Sequence, residues 1–468
     1  MSEGTIDLTE LEKEVNKLIE QRRLVARIMF KGTTPWWGGD YEGNTSDHVD
    51  EDEIIGRVRW FLRTVYNRFC ATNLNSYVEA EEFVSKLLGS TSSRSLYAIR
   101  TTNTRPVSNN CKDLPRIKLA TQGIRNTKNL LPVNIQNLTV EIYRNGSSTF
   151  DEIIVGALIL TLAFLGIGKG ANRGFGRFVP NTCPNIAKSI CNKILQGDVR
   201  GAFDEFYNTF RRVTNCNRVN SWTQSAVPLA PLTQPNYTDS IMIIPCKADK
   251  CEQLNVIQNA VMKVTFKTTI FRAKKTDEGG YIHTFIYGLP RHSVVMFKTD
   301  VNGYTLQTDP QNLHDIIRKY FRLDKDIKTD KDTQQPYKPL RGITGYYLLR
   351  GNDIVDIRRQ SMYILSPFKD KIIVLPFLSL RDHENEINNI VHIGVHTIGV
   401  RKNDKRKNDN IATQLNVVVR PVRDLMNGSG LTNHERQLAS NNPKLAFGNL
   451  RELIENYTNI LQRVIRCR

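Results

Sequence analysis

Residues 149–179 read TFDEIIVGALILTLAFLGIGKGANRGFGRFV, and this stretch decides the fold. Thr149-Phe150-Asp151-Glu152 has the spacing of a capping box, which opens a helix. The apolar run from Ile153 to Leu165 predicts that helix to be buried. Even extended to Ile167, the run is shorter than the ~20 residues that cross a bilayer, and Asp151, Glu152 and Lys169 flank it. No membrane association is expected. The helix then meets glycines at 166, 168, 170, 174 and 176, and Arg177-Phe178-Val179 reads as a strand.

Two nucleotide motifs fail here. A Walker A loop needs Ser or Thr after Gly-Lys, and Lys169 is followed by Gly170. Gly166-x-Gly168-x-x-Ala171 fits a relaxed dinucleotide fingerprint, but that motif must follow a strand and open a helix. Here it ends a helix and enters a strand. What remains is a loop whose glycines permit positive φ and close backbone approach. Lys169, Arg173 and Arg177 lie in it without an acid. Exposed N–H groups and these cations together suit a sugar-phosphate chain.

Upstream, a helix is expected over about residues 7 to 22 and a strand over Val25–Phe30. Lys31 to Gly39 reads as a Gly/Pro/Trp turn, and Asp40 to Asp52 as an acidic loop. Apolar residues at 54, 55, 58, 61, 62, 65 and 69 then mark one stripe of a helix. Arg57 and Arg59 border the stripe; Trp60 and Arg63 fall opposite it, on a face predicted to meet solvent. Strand-like pieces between 96 and 144 include Ile117–Ala120 and Leu138–Tyr143. The order β, α, several β, α, glycine loop, β is that of a ferredoxin-like (RRM-like) domain.

Downstream, residues 186 to 235 read as mostly helical and then loop-like through Pro228, Pro231 and Pro235. A helix near 252–262 follows, with strand-like pieces at 263–271, 282–287 and 294–298. Ser361–Leu365 and Lys371–Leu378 form a hairpin around Ser366-Pro367. Arg401–Asn410 is a charged loop, and about Lys444 to Ile465 an amphipathic helix. The expectation is an α+β protein of two ferredoxin-like (RRM-like) domains in tandem with helical insertions, over residues 1–185 and 186–468.

The chain has 468 residues, 40% hydrophobic and 24% charged, enough for a substantial core. Sixty-five Lys and Arg against 47 Asp and Glu leave +18, which favours a polyanionic partner, nucleic acid before membrane. The N-terminal 23 residues are charged and amphipathic rather than apolar, so secretion is not expected. The eight cysteines form no CxxC pair, which removes zinc ribbons and thioredoxin motifs. They read as reduced thiols of a cytoplasmic protein, with a disulfide between Cys246 and Cys251 as the outside alternative.

Four segments carry a family resemblance: Thr34-Pro35-Trp36-Trp37-Gly38-Gly39, Ile55-Gly56-Arg57-Val58-Arg59-Trp60-Phe61-Leu62-Arg63, Leu88-Gly89-Ser90-Thr91, and Leu165 to Phe178. Over about residues 25 to 180 the chain resembles the RAMP superfamily of CRISPR-associated RNA-binding proteins. More narrowly it is similar to the family of the first-numbered subunit of the type III-B Cmr complex. In the second half, Gly288-Leu289-Pro290-Arg291 and Arg358-Arg359-Gln360-Ser361 resemble family elements, with Met362 where a proline is expected. The resemblance implies a non-catalytic subunit that binds crRNA and target RNA beside other Cmr-complex RAMP subunits, in antiviral defence. The RNA-binding residues expected are Lys31, Trp36, Trp37, Arg57, Arg59, Trp60, Arg63, Gly168, Lys169, Gly170, Asn172, Arg173, Gly174, Arg177, Arg358 and Arg359. For the three tryptophans, packing competes with base stacking.

The alternative within the superfamily is a metal-independent endoribonuclease that processes CRISPR RNA. It would need a general acid/base, usually His, at the RNA backbone. His48, His283, His292, His314, His383, His392, His396 and His434 all lie away in sequence from the glycine loop and the arginine helix. His314-Asp315 lacks the companions of a metal site, and His392/His396 fit a strand as well as a helix. No catalytic residue, metal or cofactor is expected.

Overall fold

The computed structural model describes residues 22–39, 45–111 and 131–263 with positions 114, 115 and 117, then 293–295, 301–308, 340–350, 353–356, 361–381, 390–398, 413–421 and scattered positions from 451 to 467. The helix expected at 7–22 apart from Arg22, the strand at 263–271 apart from Lys263, the strand at 282–287 and the loop at 401–410 lie outside these residues. Arg358 and Arg359 do as well.

The chain divides into two units. The first joins Met1–Ala260, Tyr363–Leu380 and Leu461–Arg468; the second joins Val261–Met362 and Arg381–Ile460. Residue 185 falls inside the first unit, just ahead of helices that pack into its core.

The first unit opens with β1 (Arg22–Gly32), α1 (Glu51–Phe69), α2 (Val78–Leu88), β2 (Tyr97–Asn103) and a short ribbon, β3 (Val107–Ser108) with β4 (Val133–Asn134). Next come β5 (Asn137–Asn145), α3 (Asp151–Leu160) and β6 (Phe178–Pro180). The main sheet has the antiparallel order β2-β5-β1-β6. The two central strands are thus not neighbours in sequence, which is the split βαββαβ arrangement. Ile117, expected in a strand, is helical.

Asp50 caps α1 by accepting from Asp52 N–H at 2.8 Å. The capping box expected at α3 does not form. Phe150 is its cap residue and Ser148 Oγ accepts the Phe150 N–H, while Asp151 is drawn to Arg144 and the Tyr97 hydroxyl. The last turn of that helix, Thr161–Leu165, widens to π geometry and closes with Gly166 N–H on Thr161 O at 2.8 Å. The wider turn delivers the chain into the glycine loop.

The unit continues through α4 (Lys188–Gln196), α5 (Val199–Thr214), β7 (Met242–Pro245) and α6 (Lys250–Lys263). The second unit contributes β8 (Ser293–Val295), β9 (Val301–Thr308), β10 (Leu340–Arg350) and β11 (Asp353–Asp356). The chain then returns to the first unit as a hairpin, β12 (Tyr363–Phe368) and β13 (Lys371–Pro376). The hairpin was expected, but it turns at Lys369-Asp370, where Lys369 has φ 51°, rather than at Ser366-Pro367. It forms a second sheet, β12-β13-β7. β14 (Ile390–Ile398) and β15 (Thr413–Pro421) complete the second unit's sheet, ordered β11-β10-β14-β15-β9 with β8 beside β10 and β9 parallel to β15.

Helices α1 and α3 lie between the main sheet and the hairpin. One core runs from Ile28, Phe30 and Val140 through Val58 and Phe164 to Ile364, Phe368 and Phe377. Phe164 meets Phe368 at 5.0 Å between ring centroids, and Phe61 stacks on Phe206 of α5 at 5.5 Å. Both faces of α1 are therefore covered, which the apolar stripe alone did not foretell.

All eight cysteines are paired: Cys70–Cys216, Cys111–Cys251, Cys183–Cys191 and Cys246–Cys467. This corrects the expectation of reduced thiols. Cys246 and Cys251 bond to different partners. Three of the pairs are 140 to 221 residues apart, so no spacing motif announced them. Such bonds persist in oxidising compartments and inside cells of hyperthermophiles. Among the described residues no helix is long and apolar enough to cross a membrane.

Candidate nucleic-acid interface

The glycine loop is a closed knot rather than an open cradle. Ile167 N–H reaches Gly176 O at 3.1 Å, Lys169 N–H reaches Trp37 O at 2.6 Å, and Gly176 N–H reaches Pro35 O at 2.8 Å. Leu365 of β12 donates to Asn172 O at 3.0 Å, so the hairpin is stitched to the loop. Gly176 has φ +64°, and a Cβ there would stand 2.0 Å from Ile167 O. Several N–H groups expected to meet phosphates are thus spent on the protein's own carbonyls.

Arg177 is the centre of the knot. Its guanidinium is fully buried and donates to Phe175 O and Ala171 O at 2.7 Å, Ser366 Oγ at 2.8 Å and Leu365 O at 3.0 Å. Burial, and then the neighbouring cation of Arg57, pushes its pKa down. A guanidinium nevertheless stays protonated, and here carbonyl dipoles solvate it. The sequence placed Arg177 against RNA; the fold places it where it binds backbone.

The α1 arginines also make their bonds within the protein. Arg57 donates to Asn172 Oδ1 at 2.6 Å and Leu165 O at 3.2 Å, with its guanidinium 4.8 Å from the Trp60 ring. Burial lowers its pKa to about 9. Arg59 donates to Leu88 O and Gly89 O at 3.0 and 2.8 Å, and both Arg59 and Arg63 pair with Glu81 of α2. These cations fasten α1 to α2, to the end of α3 and to the glycine loop.

The tryptophans pack. Trp36 is 1% exposed and donates to Glu53 Oε2 at 2.9 Å. Burial raises the Glu53 pKa against that hydrogen bond. Trp37 lies edge-on to Phe175 at 5.7 Å, and Trp60 leans on Phe377 at 4.6 Å. The solvent face expected for Trp60 and Arg63 is occupied by the hairpin and α2. Gly174 is pressed against Leu254 and Pro367, so a Cβ there would lie 2.7 Å from Leu254.

Of the sequence-named residues, Lys31 and Lys169 are exposed, and Gly168, Gly170, Asn172 and Arg173 are half-buried. They lie where β1 ends and along the loop that leads into β6; Lys31 pairs with Val179 of β6. Sequence reasoning passed over a second set of exposed cations, Arg27 of β1 and Arg100 of β2. Their signal was the alternation in Ala26-Arg27-Ile28-Met29-Phe30-Lys31, where every second residue is buried.

Of the histidines, His48 is described; its Nε2 lies 3.1 Å from Thr101 Oγ1 at an exposed position. His392 and His396 belong to β14, the strand reading. Four residues of strand separate them by about 13 Å, too far to share a metal. Among the described residues no group of three His, Cys, Asp or Glu side chains gathers as a metal site would require.

Comparison with known proteins gives a family match for residues 29–179, to the RAMP superfamily. That is the segment whose motifs carry the resemblance, and it runs from β1 through β6. A search of curated proteins finds no match. Among solved structures, Cmr1 from Pyrococcus furiosus in its apo form is 13% identical, with a TM-score of 0.39 over 53% of this chain and 73% of that one. A chain of the type III-B Cmr-beta complex bound to cognate target RNA is also 13% identical, with a TM-score of 0.44 over 75% of this chain and 94% of that one.

Proposed function

Taking the RAMP-superfamily match of residues 29–179 as premise, we propose that the protein is a non-catalytic RNA-binding subunit of a type III-B CRISPR effector complex. It would hold crRNA or target RNA beside other RAMP subunits of that complex. The observation that carries this reading is the match itself, which runs from the end of β1 into β6 and takes in the glycine loop. The charge of +18 supports a polyanionic partner. On this reading the second unit is a further ferredoxin-like module, and the assembly works inside the cell.

The glycine loop then has a structural part in RNA binding. It fixes the junction of β1 and β6, and it leaves Lys31, Lys169 and Arg173 along that rim. Sequence choice would come from guide–target base pairing while the protein grips backbone. The test is a binding titration of the purified oxidised protein with labelled RNA, followed by electrophoresis of the RNA with and without magnesium. Binding that weakens steeply with salt, with the RNA left intact, supports the reading. Defined cleavage lost on changing one histidine would instead make it the endoribonuclease.

A further inference from the structure

The main sheet has one face in the core and one face open. Ala26, Ile28 and Phe30 of β1, Leu138, Val140 and Ile142 of β5, and Tyr97 and Ile99 of β2 point inward. The strand pairing sets the open face out in rows. Leu24, Tyr143 and Ala98 form the first; Arg27, Glu141 and Arg100 the second; Met29, Thr139 and Thr102 the third; and Lys31 and Asn137 the fourth. Adjacent rows within one strand are about 6.6 Å apart, and neighbouring strands about 4.8 Å.

Two properties make this face unusual. Leu24 and Met29 are each 46% exposed, although an open antiparallel face is ordinarily polar. Three cations, Arg27, Lys31 and Arg100, face one carboxylate, Glu141. Glu141 is occupied: it accepts from Arg27 Nε at 2.6 Å and from the Tyr143 hydroxyl at 2.7 Å. The Tyr143 bond, then Arg27, keeps its pKa low, so it stays a fixed anchor that orients both side chains. The Arg100 guanidinium stands 5.5 Å from the Tyr143 ring. A positive surface that interleaves an aromatic ring and apolar side chains with cations suits a strand with both phosphates and unpaired bases. A duplex hides its base faces and would use only the cations.

We propose that the open face of the β2-β5-β1-β6 sheet is a docking surface for single-stranded RNA. Arg27, Arg100 and Lys31 neutralise phosphates, while Tyr143, Leu24 and Met29 receive bases. The proposal rests on the RNA-binding reading and assigns it a surface distinct from the half-buried arginines Arg57, Arg59 and Arg63 of α1.

The experiment is fluorescence anisotropy with a labelled mixed-sequence oligoribonucleotide, single-stranded and then annealed to its complement, across a salt series. The variant R27Q/K31Q/R100Q should lose at least about tenfold in single-strand affinity. Its salt slope should be shallower by about two, since each lost phosphate contact contributes about 0.7. Y143L should lose about fivefold or more at an unchanged slope. K31Q/R100Q spares every hydrogen bond to Glu141 and should still show the loss, which guards against a folding defect. Arg212→Gln, at an exposed residue of α5, should bind as wild type. No binding by the wild-type protein would refute the RNA reading itself. Wild-type binding with undiminished affinity in both cation variants would overturn this assignment, and equal affinity for the duplex would overturn the single-strand claim.

Discussion

Replacing Arg177 by Met tests whether one guanidinium holds the glycine loop to the hairpin. The side chain makes four hydrogen bonds, three to main-chain carbonyls and one to Ser366 Oγ. Removing it strands those acceptors in a closed interior at roughly 1–3 kcal/mol each, about 4–12 kcal/mol in all. Against this, burying a cation beside dipoles alone costs several kcal/mol, and the variant recovers that. The methionine also refills part of the volume. Taking about 2 kcal/mol for each of the four acceptors and about 4 kcal/mol for the recovered desolvation, the difference is a loss of about 4 kcal/mol. At roughly 2 °C per kcal/mol for a unit of this size, calorimetry should show a fall of about 8 °C. Hydrogen exchange supplies the local readout, because the Leu365 N–H, which donates to Asn172 O, should lose protection as the loop leaves β12. Arg177→Lys should fall between, since an ammonium has three donors and no planar fork. A Met variant that melts within a degree of wild type, with Leu365 still protected, would refute the reasoning.

Two further outcomes follow from the covalent and ionic structure. Exchanging Cys246 and Cys467 for serine opens the longest loop, 221 residues, and should cost up to about 5 kcal/mol by chain entropy, read as a lower urea midpoint. Lys250 is held by Gln253 Oε1 and Lys369 O, and burial lowers its pKa to about 8. Its unfolded value is about 10.4, so between those two pH values the unfolded chain binds more protons and stability rises with pH. Lys250→Met should flatten that slope in melting temperatures taken from pH 7.5 to 10.5.

The backbone plan of the first unit was legible because its signals are local. The apolar stripe of α1, the alternation of β1 and β5 and the glycines after α3 each lie within about twenty residues of sequence. The partners of the arginines were not legible. Arg57, Arg59 and Arg177 end on carbonyl oxygens of residues such as Leu165, Leu88 and Leu365, and a carbonyl has no letter in a sequence. A cation at the border of an apolar stripe therefore read as a surface charge. Trp60 failed for a related reason: Phe377, its partner, lies more than three hundred residues away. The cations Arg27 and Arg100 were visible in the alternation of their strands, but the arginine-rich helix drew the functional reading instead.

The first unit takes its last pieces from residues 363–380 and 461–468. A ribosome making this chain therefore emits the main sheet and its helices long before the strands that cover them. Until β12 and β13 emerge, the hairpin side of α1 and of the π turn at 161–165 lacks its cover, including Phe61 and Phe164. The Cys246–Cys467 bond cannot form until all of the intervening second unit has been synthesised. Folding of the part that starts first must finish last, which leaves the nascent chain with an apolar surface for a chaperone to guard throughout that interval.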